Sequence, residues 1–149
     1  MQIEKNGFSS PFKKKQYLFY HLLELDLSDN QIQNWEIFFL NNPDKEIVKK
    51  TLYSMILNNK TNCYLRILLI KIFLKNQEWE RAIKWGQRSL IYANLHQKKI
   101  LYCYLSKAYF KKNRIERAIL YTNLSLKIDH HYKPAKRLKK IYSKSVLYY

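Results

Sequence analysis

At 149 residues the chain can bury one core, or a short stack of repeats that share a continuous core. A hydrophobic share of 47% with 15% aromatics excludes disorder over most of its length, and two glycines with three prolines are too little punctuation for a β-sandwich or barrel. Lys and Arg number 28 against 11 acids, a formal +17, which predicts attraction to phosphates, anionic lipid or acidic proteins.

In chain order, Lys14 to Leu25 reads as an amphipathic N-terminal helix within segment 14–27, and Ser28-Asp29 as the capping region of the next. Segment 29–62 reads as a degenerate helical hairpin. Trp35 and Phe39 lie on a first helix, roughly Asn30 to Asn41, and Pro43 opens a second that turns Val48, Leu52 and Met55 inward. Segment 63–96 then supplies a helix from Tyr64 to Lys75, the polar turn Asn76-Gln77-Glu78, and a helix from Trp79 to Tyr92. Segment 97–132 repeats the pattern with Ile100 to Lys111, the turn Lys112-Asn113-Arg114, and Ile115 to Ile128. In both turns asparagine is the residue expected to tolerate a left-handed backbone. Segment 133–147 closes the chain with a basic helix from Pro134 to about Ser145, which solvates the exposed end of a stack.

The internal register is specific. Asn76-Gln77-Glu78-Trp79-Glu80-Arg81-Ala82-Ile83 aligns with Lys112-Asn113-Arg114-Ile115-Glu116-Arg117-Ala118-Ile119 at an offset of 36. At the same offset Phe73 meets Tyr109, and Ser89-Leu90 meets Ser125-Leu126. The run Leu105-Ser106-Lys107-Ala108-Tyr109-Phe110, the turn, and Ile115-Glu116-Arg117-Ala118-Ile119 with Ser125-Leu126 resemble a tetratricopeptide repeat. Residues 63–96 match through Leu69, Phe73, Trp79, Ala82, Ser89 and Leu90. The family's turn glycine is replaced by Gln77 and Asn113, and its closing proline by Asn94 and His130. The resemblance implies an all-α fold: a right-handed superhelical stack of helical hairpins, treated as a single domain over 1–149 with flanking helices at both ends.

It also implies a function. In such stacks the first helix of each pair lines a concave surface that takes peptides or partner helices. Carried over by position, this groove holds Tyr64, Ile67, Lys71, Leu74 and Lys75 from one repeat, and Ile100, Cys103, Lys107, Phe110 and Lys111 from the next. Arg137 extends it. The stacking of Lys71 over Lys107 and Lys75 over Lys111 predicts a lysine ladder that grips an acidic, partly apolar segment of a partner protein. The expected role is an adaptor, assembly factor or chaperone. The flanked-repeat architecture is similar to the small chaperones of bacterial type III secretion, and the composition to plastid or endosymbiont proteins. The carboxylate clamp for chaperone tails does not fit, because its positions hold Ile67, Lys71, Tyr104, Pro134 and Leu138, and one of five fits.

Other chemistries find little in the residues. His21, His96, His130 and His131 have no ligand or nucleophile partners at useful spacing, so neither metal, cofactor nor catalysis is expected. Cys63 and Cys103 lack a metal or disulfide spacing and read as core thiols in a reducing compartment, cytoplasm or plastid stroma. No secretory leader or transmembrane run is legible. The alternative partner is nucleic acid: residues 97–149 carry 14 basic residues against Glu116 and Asp129, while 1–96 carry 14 against 9 acids. A peripheral anionic membrane is a third partner class. Lys-, Asn-, Ile- and Tyr-rich composition also fits a low-GC genome, in which the positive charge is compositional drift.

Overall fold

The computed structural model describes residues 39–42 and 44–146. Among them every regular element is helical. The expected N-terminal helix, and most of the first helix of segment 29–62, lie outside the described residues. The chain falls into two compact units, Met1–Asn58 and Asn59–Tyr149, with the boundary inside segment 29–62.

In the first unit α1 spans Lys45–Asn58 and buries Val48, Leu52, Met55 and Ile56. It begins two residues after Pro43 (which lies outside the described residues), because Asp44 caps it: its Oδ1 accepts from the Ile47 amide at 3.1 Å. A carboxylate there also sits at the positive end of the helix dipole.

The second unit holds α2 (Cys63–Lys75), α3 (Trp79–Ser89) with a 3-10 turn over Leu90–Tyr92, α4 (Leu95–Lys111), α5 (Ile115–Ile128) and α6 (Lys133–Val146). The Asn62 side chain caps α2 by accepting from the Leu65 amide at 3.2 Å. The sequence expects α3 to run unbroken to Tyr92, but the backbone tightens after Ser89. It also expects α4 to start at Ile100. The helix begins at Leu95, because Asn94 and Gln97 form a reciprocal capping box, with Gln97 N donating to Asn94 Oδ1 at 2.8 Å and Asn94 N to Gln97 Oε1 at 2.9 Å.

The two turns are copies of one device. Gln77 and Asn113 have φ of 60° and 59°. After α2, Gln77 N donates to Leu74 O and Glu78 N to Phe73 O; after α4, Asn113 N donates to Phe110 O and Arg114 N to Tyr109 O. Each turn is thus a Schellman motif that satisfies the last carbonyls of its helix. In the first turn the left-handed residue is Gln77 and not the asparagine the sequence points to, since Asn76 sits at φ −88°. Turns this short make α2/α3 and α4/α5 antiparallel neighbours.

Packing continues from pair to pair. α3 lies against α4 and α5 against α6, while α2 touches α4 and α4 touches α6. The first helices of successive pairs therefore form one row. Small residues sit where helices approach: Ala82 and Ala118 are fully buried. Gly86 leaves room for Leu105, whose Cδ2 would lie 2.7 Å from a Cβ placed there.

Candidate partner-binding cleft

The row of first helices leaves a cleft at its C-terminal end. It measures about 350 Å³ and is lined by Leu74 of α2, Trp79 of α3, Lys107, Phe110 and Lys111 of α4, and Leu138, Ile141 and Tyr142 of α6. The lining is mostly apolar. Lys107 and Lys111 are exposed and supply positive charge, with the Lys107 ammonium 5.7 Å from the Tyr104 ring.

The wall between α4 and α6 is set by the Phe110 ring, which packs against Tyr142 at 4.7 Å between centroids. Beneath it Tyr142 is locked. Its hydroxyl lies 2.8 Å from Ser106 Oγ, which also lies 2.7 Å from Thr122 Oγ1 and donates toward Ala118 O at 2.8 Å. Thr122 Oγ1 reaches the same carbonyl at 3.0 Å. Ser106, Thr122 and Tyr142 are all essentially inaccessible to solvent, so this network joins α4, α5 and α6 in a medium where unmade hydrogen bonds are costly. Burial pushes the Tyr142 phenol above its ordinary pKa, and its bond to Ser106 opposes that only in part. The hydroxyl is therefore neutral and can donate.

A second set of contacts braces α4 against α5 and the turn after it. Ser125 Oγ donates to Lys99 O at 2.8 Å, and the Lys99 ammonium pairs with Asp129 at 3.0 Å beside the Tyr132 ring. That hydrogen bond, followed by one from the His131 amide, holds the Asp129 carboxyl below the ordinary aspartate range. Lys112 ties the end of α4 to Glu80 of α3 at 3.0 Å. In the preceding hairpin the Arg66 guanidinium donates twice to Lys60 O at 3.2 Å and lies over the rings of Tyr92 and Trp85.

Of the residues carried over from the repeat resemblance, Leu74, Lys107, Phe110 and Lys111 share the cleft. Tyr64, Lys71 and Ile100 are half-buried and Lys75 is exposed, and all four lie outside its lining. Ile67 is buried within α2, and Cys103 is buried with its sulfur 3.4 Å from Ser125 Oγ. Neither side chain is open to a partner. Arg137 lines a different, shallow hollow on α6 with Lys133, Lys136 and Lys140. The sequence reading missed Trp79, Leu138, Ile141 and Tyr142 as cleft residues. The signal for the last three was their apolar spacing along α6, which puts three side chains on one flank.

The remaining reactive groups do not gather. Among the described residues no three His, Cys, Asp or Glu side chains come together as a metal set. Both cysteines are buried and unpaired with each other, and desolvation pushes the Cys63 thiol up to about 11 and raises that of Cys103. No helix among the described residues is long and apolar enough to cross a membrane. Compared with protein-family models and with curated protein sequences, the chain matches none.

Proposed function

We propose that the second unit is a tetratricopeptide-type hairpin stack, and that its cleft binds an acidic, partly apolar segment of another protein. The observation that carries this reading is the pairing of an apolar lining (Leu74, Trp79, Phe110, Leu138 and Ile141) with two exposed lysines, Lys107 and Lys111. The repeated Schellman turns at Gln77 and Asn113 and the row of first helices support the stack. A cleft of this size accepts a large apolar side chain or two. The lysines would steer and orient flanking carboxylates, contributing more to specificity and association rate than to affinity. The role that follows is an adaptor, assembly factor or chaperone without a reaction of its own.

Fluorescence anisotropy with a small peptide panel tests the proposal. A peptide with one Leu or Phe flanked by acids should bind at least tenfold tighter than all-acidic or uncharged apolar versions. The variant Lys107→Glu/Lys111→Glu should lose most of that affinity. Equal binding across the panel, or affinity unchanged by charge reversal, refutes the reading.

A further inference from the structure

We propose that the solvent face of α6 is a separate, sequence-independent binding site for the phosphate backbone of duplex nucleic acid. The helix carries Lys133, Lys136, Arg137, Lys139, Lys140 and Lys144 and not one acid. All six are exposed, and among the described residues none of them is in an ion pair. Elsewhere in this compact unit exposed and half-buried charge is partly neutralised, as in Lys99–Asp129, Lys112–Glu80 and Arg81–Glu78.

The arrangement is a ladder. Ala135, Leu138 and Tyr142 are the buried residues of α6 and define its inner face. With about 100° of turn per residue, Lys133, Lys136, Arg137, Lys140 and Lys144 fall within roughly 100° of arc on the opposite side. From Lys133 to Lys144 the ladder runs about 16 Å along the axis at a rise of about 1.5 Å per residue. One strand of a duplex presents a phosphate about every 3.4 Å of its axis, so up to about five phosphates face such a ladder.

The chain itself gains nothing from this pattern. Lys133/Arg137, Lys136/Lys140 and Lys140/Lys144 are like-charged i,i+4 neighbours, which repel. The first turn holds cations and no acid, which opposes the helix dipole. A bound polyanion relieves both.

Other anionic partners fit less well. Membrane insertion needs a contiguous apolar flank, yet the two exposed apolar side chains of α6, Ile141 at 49% and Val146 at 50%, lie roughly 140° apart around the helix. Single strands are gripped by stacking aromatics, and Tyr142, the one aromatic of α6, is 1% exposed. A regular backbone with closely spaced charge is the remaining match.

The test uses the full chain and a fluorescently labelled random-sequence duplex of about 20 base pairs, titrated by anisotropy between about 50 and 200 mM salt. Binding should be insensitive to sequence, with log K falling against log salt at a slope of about −4, a loss of a few hundredfold over that range. Lys133→Gln/Lys136→Gln/Arg137→Gln/Lys140→Gln should flatten the slope to about −1 while circular dichroism and melting stay as in the parent. Lys107→Glu/Lys111→Glu, on the cleft, should leave most of the affinity in place, which separates this site from the peptide cleft. The proposal is overturned by no binding at 50 mM salt or by a slope that the α6 variant leaves unchanged. It is equally overturned if poly-glutamate, or vesicles with about 30% phosphatidylserine, bind as tightly as the duplex.

Discussion

Gln77 holds a φ of 60° that costs a residue with a Cβ about 1 kcal/mol or more relative to glycine. Gln77→Gly should therefore stabilise the protein by about 0.5–1 kcal/mol, after the added unfolded-state freedom of glycine is subtracted. Asn113→Gly should gain less, because asparagine already tolerates this region. Urea midpoints measure both, and a destabilised Gln77→Gly would mean that the glutamine side chain has a role the turn geometry does not require. These positions were legible beforehand as the places where the resembled repeat carries its turn glycine. The preference for asparagine was misleading in the first turn, because a Schellman motif assigns the strain by position after the last helical residue and not by residue type. A second prediction concerns Cys63, whose thiol burial pushes up to about 11. At pH 8 almost none of it is thiolate in the folded protein, so a disulfide reagent should react slowly there and rapidly in guanidinium. Fast reaction of both thiols in native buffer would contradict the packing around Cys63 and Cys103.

At the scale of elements, the repeat register conceals a change in what holds the hairpins. Ile70 occupies in the first hairpin the place of Ser106 in the second, and Gly86 that of Thr122. At Gly86 the first hairpin admits Leu105 of the next hairpin's α4, whereas at Thr122 the second is tied by hydrogen bonds among Ser106, Thr122 and Tyr142. Ser106→Ala should cost about 2 kcal/mol because it strands the buried Tyr142 hydroxyl. Tyr142→Phe should cost about 1 kcal/mol, and the double variant less than the sum of the two. Additive losses in urea denaturation would show that the pair is not coupled. Sequence showed the helices themselves but not this network, since serine and threonine at helical spacing read equally well as solvated. The start of α4 was misplaced for a similar reason: Leu95 to Lys99 lacks an apolar period, and the Asn94–Gln97 capping box outweighs it.

At the largest scale, α6 is both the last described helix and one wall of the cleft. Deleting residues 133–149 removes the buried Ala135, Leu138 and Tyr142 and uncovers Phe110. At about 1.5–3 kcal/mol for each large side chain buried, the truncated protein should lose about 4 kcal/mol or more and bind a hydrophobic dye. Unchanged melting on truncation would show that α6 is peripheral to the fold.

Sequence by itself determined the helical class, the offset of 36 and the location of both hairpin turns in the second unit, because these rest on local causes: hydrogen bonds four residues apart, apolar spacing and turn chemistry. Tertiary structure alone decided which candidate residues meet one another. It buried Ile67 and Cys103, turned Arg137 to the outer face of α6, and brought Trp79, Ile141 and Tyr142 beside Leu74, Phe110 and Lys111. The outcomes that involve α6 depend on its rotation about its own axis, which is set by the tilted Phe110–Tyr142 ring contact and by the Ser106–Tyr142 hydrogen bond across 36 residues of chain. The apolar spacing along α6 marks one flank, but only these long-range contacts decide which neighbours that flank meets.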